Sequence, residues 1–438
     1  MTDFNMNNIK KYEHELFCER YYKINHHSGL EVYVFPKEMS GYYAIISASF
    51  GGAVSEYLCD GEKVVLPQGC AHFLEHKLFD NEDGRGADDV FSSCGAYDNA
   101  YTSSEKTAFL FSCTDNFDEC LSELLTFVTH PYFTDASVKK EIGIIAEEIR
   151  GCEDDPYDRC YMNMLDGMYF NNNVKNEICG TEESISQITP EILYRCCEDF
   201  YRPENMILAV CGNVTPQRVL EITDRCIFKS DIMKRISVPV FFEPAGVRRG
   251  LVERKMPVGK PIFCLGIKDI NIPSDPVLRL KKNEAANILC GMLFSASEQF
   301  YLDMIDRGLL SPGFDCGYSI NKNTAYVMMS GESDEPKALR KEITDYIERC
   351  RRSELDKKAF EREKRVAYAA YVSDFDSVED IAFSLLSFAE NRVDMFEYAK
   401  ILESIEFEDV KRVFDEIFDT DNITLSVVMP IDDDANKD

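Results

Sequence analysis

Apolar and polar positions alternate and cluster along residues 29–55 (GLEVYVFPKEMSGYYAIISASFGGAVS) in a way that predicts paired strands. The spacing turns helical from about Gly69 to Phe79. A second strand pair is predicted at Ala96–Tyr101 and Thr107–Cys113, then amphipathic helices over Phe117–Thr129 and from Ala136 to about Gly151. Further helices and a strand at Met206–Cys211 close this half. Between Ser230 and Pro261 the pattern loosens, with Pro239, Pro244, Pro257 and Pro261 among Gly246, Gly250 and Gly259, as an interdomain connection would.

Beyond that stretch the first half recurs at an offset of 217 residues. Thr107-Ala-Phe-Leu matches Thr324-Ala-Tyr-Val, Lys140 matches Lys357, and Asn205-Met-Ile-Leu-Ala-Val matches Asn422-Ile-Thr-Leu-Ser-Val. The expected fold class is therefore α+β: two homologous α/β-roll halves, each a largely antiparallel sheet with helices packed on one face. The halves are placed at residues 1–230 and 262–438, with 231–261 as linker.

Composition narrows the function. The 438 residues carry 48 Lys and Arg against 78 Asp and Glu, a formal charge of −30 that disfavours nucleic acid and anionic membranes and predicts cationic partners for any charge-steered encounter. No stretch approaches the ~18 apolar residues of a membrane span. The 17 cysteines are odd in number, and Cys196 and Cys197 fit an amphipathic helix better than a disulfide framework. The first residues, MTDFNMNNIKKYEHELF, lack an apolar signal core. These features together predict a cytoplasmic protein.

The predicted helix GCAHFLEHKLF contains His72, Glu75 and His76. On a helix His72 and His76 lie one turn apart on one face, so that two imidazoles converge on one ion with Glu75 beside them. This is the inverted H-x-x-E-H arrangement of zinc hydrolases. A catalytic zinc takes a third protein ligand, for which the helix KKEIGIIAEEIRGCEDDP offers Glu141 and Glu148, two turns apart on one face. Glu147 is the rival, some 100° around the helix.

The chain here resembles the insulinase/pitrilysin family of zinc metallopeptidases, which includes the mitochondrial processing peptidase. The resemblance runs through HFLEH, the Glu141/Glu148 pair, Gly95–Phe111 (GAYDNAYTSSEKTAFLF), Glu147–Pro156, Cys179–Thr189 and Phe200–Val214. It extends to the bacterial half-sized members, which share an acidic insertion like Asp80–Gly84. The resemblance implies a zinc-dependent endopeptidase that cuts extended peptides in an enclosed chamber. His72, His76 and Glu148 would bind Zn²⁺, Glu75 would act as general base, and Glu141 would support the ligands. The substrate would add as a strand along Asp98–Thr102, that is against Asn99, Ala100, Tyr101 and Thr102.

The offset maps His72, Glu75, His76 and Glu148 onto Leu289, Met292, Leu293 and Arg365, so the second half carries no such site. This agrees with the family pattern of an active half followed by a degenerate one. Active relatives often carry an Arg and a Tyr where this chain has Met304 and Ser311; Arg307 and Tyr318 are the nearby substitutes. Because the full-length family architecture has four halves, a homodimer or a heterodimer with a related subunit is expected. The alternative is a noncatalytic peptide-binding subunit with a structural zinc, which the intact Glu75 disfavours and the missing Arg/Tyr pair favours.

Overall fold

The computed structural model describes residues 9–431 except 16, 83, 85 and 230–233. Its first half runs β1 (Ile9–His14), β2 (Glu19–Asn25), β3 (Glu31–Pro36), β4 (Tyr42–Ala48), β5 (Glu56–Cys59), β6 (Glu62–Val65), α1 (Cys70–Leu78), α2 (Ala87–Ser93), β7 (Tyr97–Thr102) and β8 (Thr107–Cys113). Then come α3 (Phe117–Thr129), α4 (Asp135–Asp154), α5 (Pro156–Met168), α6 (Glu182–Ile185), α7 (Pro190–Phe200), β9 (Met206–Gly212) and α8 (Pro216–Cys226). The remainder is β10 (Ile236–Ser237), β11 (Leu251–Met256), β12 (Ile262–Asp269), α9 (Pro276–Phe294), α10 (Gln299–Asp306), β13 (Asp315–Ile320) and β14 (Ala325–Glu332). It closes with α11 (Pro336–Arg352), α12 (Lys357–Ser373), α13 (Val378–Glu390), α14 (Glu397–Glu403), α15 (Phe407–Ile417) and β15 (Ile423–Pro430).

The chain forms two compact units. Of the described residues, the first gathers those up to 149 with 177–239 and 371–398; the second gathers 150–176, 240–370 and those from 399 on. Residues 231–261, the stretch expected as linker, include β10 and β11, while 231–233 lie outside the described residues. β11 (LVERKM) is hard to read in the sequence because only Val252 and Met256 of its six residues are buried.

The seven-stranded sheet of the first unit has the order β1-β2-β3-β9-β4-β8-β7, and the five-stranded sheet of the second has β11-β15-β12-β14-β13. The second order repeats the last five strands of the first. Each sheet contains one parallel pair, β3 with β9 and β11 with β15, and is otherwise antiparallel. Starting residues repeat as the sequence anchors do, Met206 and Ile423 being 217 positions apart, whereas β3 and β11 start 220 apart.

Both faces of these sheets are covered. In β4, Ala44, Ile46 and Ala48 join the core beneath α1 and α3, a cluster that includes Phe73, Leu74, Leu78, Phe109, Leu121 and Leu124. The alternate residues face α13: the Tyr43 ring lies 5.7 Å from Phe383 and the Ser47 hydroxyl donates to Glu390 at 2.9 Å. The second unit uses α5 likewise, where Cys160, Met164, Leu165 and Met168 pack with Ile262 and Cys264 of β12. Double coverage explains why β4 and β12 read as unbroken apolar runs. Lys268, fully buried on β12, satisfies its charge with Glu243 at 2.9 Å and with the carbonyls of Met168, Pro244 and Gly246.

All 17 cysteines are free thiols. Among the described residues no helix is long and apolar enough to cross a membrane.

Candidate active site

α1 starts at Gly69, whose φ of +88° suits glycine and whose position a Cβ would fill only by coming 2.5 Å from the Cys179 carbonyl oxygen. Cys70, Ala71, Phe73, Leu74 and Leu78 of this helix enter the core, which fixes its rotation. That rotation turns His72 and His76 to one side, with ring centroids 4.6 Å apart. α4 is held in turn by Val138, Ile145, Ala146 and Ile149, leaving Glu141 and Glu148 to face the histidines.

The ring nitrogens and the carboxylate meet. His72 Nε2 lies 3.2 Å from Glu148 Oε1, and His76 Nε2 lies 3.5 Å from Glu148 Oε2. One donor atom from each of His72, His76 and Glu148 falls within 4.8 Å of the other two. Glu147, by contrast, is exposed. Glu141 takes the other side of His76, with Nδ1 3.1 Å from Oε1. An Nδ1–H donated to Glu141 leaves the Nε2 lone pair toward Glu148, the tautomer that a metal ligand requires. Buried Lys77 stands 3.7 Å from Glu141 Oε2 and also pairs with Asp80, so the carboxylate has a fixed cation.

These contacts set the charges. Burial alone would lower the His76 pKa, but the Glu141 hydrogen bond and the charges of Glu148, Glu141 and Glu75 outweigh it and raise the value. The hydrogen bond from His72 is the main reason that Glu148 is held below the ordinary carboxylate range. Burial pushes Glu141 upward, yet His76 and Lys77 bring it below its usual value. His72 Nδ1 is buried with no hydrogen-bond partner. Two imidazoles and one carboxylate, converging and partly dehydrated, are a donor set that fits Zn²⁺ with a position left for water.

Glu75 sits on the same helix, 9% exposed, and its Oε2 accepts the Thr102 hydroxyl at 2.5 Å. Thr102 ends β7, an outer strand of its sheet, paired on one side with β8 through Ala100–Phe109 and Thr102–Thr107. The Ala100 N–H is not spent on β8; the Asn99 side chain accepts it at 2.9 Å. Asn99 is exposed, and Tyr101 is half-buried with its ring 6.3 Å from Phe383. A cavity of about 500 Å³ opens beside this edge, lined by Glu75, His76, Phe79, Asp88, Asp98, Asn99 and Ala100. Asp98 is pushed up to about 6 by burial and by its hydrogen bond and charge repulsion with Asp88.

The structure thus brings His72, His76, Glu148, Glu75, Glu141 and Thr102 together, with Asn99, Ala100 and Tyr101 along the adjoining edge. Lys77 and the Asp88/Asp98 pairing have no motif in the sequence; the one local sign is a lysine directly after His76 on a helix whose other residues face the core or the site. Of the acidic insertion Asp80–Gly84, Asp83 lies outside the described residues.

Among the described residues the second unit carries no equivalent site: Leu289, Met292 and Leu293 are core residues of α9, and Arg365 is exposed on α12. Tyr318 is buried and gives its hydroxyl to Asp269 at 2.7 Å, while exposed Arg307 pairs with Glu342 at 2.7 Å.

Residues 66–182 match the family model described as insulinase (peptidase family M16), and residues 187–366 match the M16 inactive domain. The uncharacterised zinc protease YmfH of Bacillus subtilis is 34% identical over 96% of this chain and 99% of its own. This chain belongs to the M16, or insulinase, peptidase family. An M16-like peptidase structure from Alicyclobacillus acidocaldarius superposes with a TM-score of 0.89 at 28% identity, covering 93% of this chain and 98% of that one. Pitrilysin shares the fold, with a TM-score of 0.71 at 14% identity over 96% of this chain and 45% of pitrilysin. The inactive-domain match includes Leu289, Met292, Leu293 and Arg365, which stand at the 217-residue offset from His72, Glu75, His76 and Glu148.

Proposed function

We propose that this M16 protein is a zinc-dependent endopeptidase acting on extended or unfolded peptides. The observation that carries the reading is the convergence of His72, His76 and Glu148 beside Glu75 at the end of an open strand edge. Zn²⁺ held by those three residues supplies Lewis acidity to a water molecule and to the scissile carbonyl.

The chain's own residues do the rest. The edge of β7 holds the substrate backbone in extended form, and Asn99 gives up the Ala100 N–H so that it can pair with a substrate carbonyl. Thr102 anchors one oxygen of Glu75, which leaves Oε1 to accept a proton from the attacking water. The same oxygen then delivers that proton to the departing amine nitrogen. Glu141 and Lys77 keep His76 in its ligand orientation.

Asp88 and Asp98 in the adjoining cavity support a preference for peptides with a Lys or Arg side chain next to the scissile bond. The cleft is closed in this reading by pairing two chains, either two copies or one copy with a related subunit. The 45% coverage of pitrilysin fits two chains to one such length. The full chain, stripped of metal and then reloaded with Zn²⁺, should lose and regain hydrolysis of internally quenched extended peptides. Hydrolysis that persists in the stripped protein would contradict the proposal.

A further inference from the structure

Two adjacent histidines at the turn between β2 and β3 take no part in the site above. His26 Nε2 lies 2.9 Å and His27 Nε2 3.2 Å from one oxygen, Asp224 Oδ1 on α8, and the two rings have centroids 4.1 Å apart. One donor atom from each of these three residues falls within 4.8 Å of the others, as in the His72, His76, Glu148 group.

The turn is built before any ion arrives. The His26 N–H donates to the Leu30 carbonyl and the Gly29 N–H to the His26 carbonyl, each at 3.0 Å, with Gly29 at φ +100°. The side chain of His26 has no exposure, and its Nδ1 is 2.7 Å from the Ser28 hydroxyl. That hydroxyl oxygen accepts the Leu30 N–H at 3.3 Å and can also accept Nδ1–H, which turns the Nε2 lone pair of His26 toward Asp224. The Ser28 N–H, 3.3 Å from Nδ1, serves the opposite tautomer, in which the His26 Nε2–H merely donates to Asp224. The side chains of His27 and Asp224 are 57% and 40% exposed, so the open side of the group faces solvent.

We propose that His26, His27 and Asp224 form a second metal site, taking a zinc-type divalent transition ion. Two imidazole nitrogens and one carboxylate oxygen exclude Ca²⁺ and Mg²⁺, which take oxygen ligands, and suit Zn²⁺, Co²⁺ or Ni²⁺. An ion here clasps the β2–β3 turn to α8. Its role is structural, and it is independent of the peptidase reading.

The test counts Zn²⁺ bound by the metal-stripped full chain after equilibrium dialysis. Wild type should bind two ions per chain. His27→Ala and Asp224→Asn, both at exposed positions, should bind one each and keep peptidase activity. The His72→Ala/His76→Ala variant should also bind one, and Zn²⁺ should still raise its melting temperature, an increase lost when His27→Ala is added. If His27→Ala and Asp224→Asn bind as much Zn²⁺ as wild type, the second site does not exist. Loss of binding in His72→Ala/His76→Ala alone, with no change in His27→Ala, overturns this inference while leaving the catalytic site intact.

Discussion

The Thr102 hydroxyl donates to Glu75 Oε2 at 2.5 Å, joining the last residue of an outer strand to the helix that carries His72 and His76. The outer strand and the Glu75 carboxylate are thereby held by one hydrogen bond. The Thr102 hydroxyl also stands 3.2 Å from Thr107, whose own hydroxyl donates to the Phe50 carbonyl at 2.8 Å, so the contact rests on the sheet rather than on a loop.

Thr102→Val should therefore slow turnover without emptying the metal site. Loss of a hydrogen bond to an ionised carboxylate predicts a kcat lower by roughly tenfold, with KM nearly unchanged. Thr102→Ser should restore most of the rate. Steady-state kinetics beside metal analysis separates this positioning role from a packing defect, which would lower stability in the Ser variant as well.

The carboxylates of α4 should rank by where the helix points them. Glu148→Gln is expected to lose the most zinc affinity in competition with a chelator, and Glu141→Gln to lose roughly 10- to 100-fold through His76. Glu147→Gln should bind like wild type. A Glu147 effect equal to that of Glu148 would contradict the ligand set.

Asp98 makes a pH-dependent specificity testable. Its pKa is pushed up to about 6, so the Asp88/Asp98 pair carries its full negative charge only above that pH. The ratio of kcat/KM for Lys/Arg peptides over matched Glu peptides should accordingly grow as pH rises through 6, and shrink with added salt. Asp98→Asn should flatten both dependences.

Asp199 tests stability. It is fully buried as a side chain and accepts hydrogen bonds from Tyr57, from Arg195 at 2.8 Å and from Lys234 at 2.7 Å. Burial pushes its pKa up, but these partners hold it below the ordinary value. A depressed folded-state pKa gives stability that is present above the unfolded value of about 3.9 and is lost as pH falls through the folded one. Asp199→Asn should cost about 2 kcal/mol at neutral pH. Denaturant unfolding should show the gap to wild type closing below about pH 4.

Much of this architecture is legible in the chain because its signals are local. β8 and α3 fall at the residues that apolar spacing predicts, and the matched anchors from Asn205 and Asn422 announce the repeated β9 and β15. The shared face of His72 and His76, and that of Glu141 and Glu148, follow from helical spacing, whereas the choice of Glu148 over Glu141 as ligand is what the resemblance to the insulinase family implies. What spacing does not carry is the assignment of α5 to the second unit and α13 to the first, since an amphipathic helix does not specify which sheet it covers. β11 is hidden for the same reason that β7 is informative: an outer strand has few buried positions, and only neighbouring chemistry marks it. The Thr102–Glu75 and Asp88–Asp98 contacts join residues from separate elements, which only the folded chain brings together.

In the proposed mechanism Glu75 carries the proton while His72, His76 and Glu148 hold the ion. It is tested most directly by Glu75→Gln, with bound zinc measured by mass spectrometry and turnover of a quenched peptide measured on the same sample. Wild-type zinc content is expected, with hydrolysis lowered by at least about a hundredfold, because the amide cannot accept the water proton. Undiminished turnover at full zinc content would contradict it.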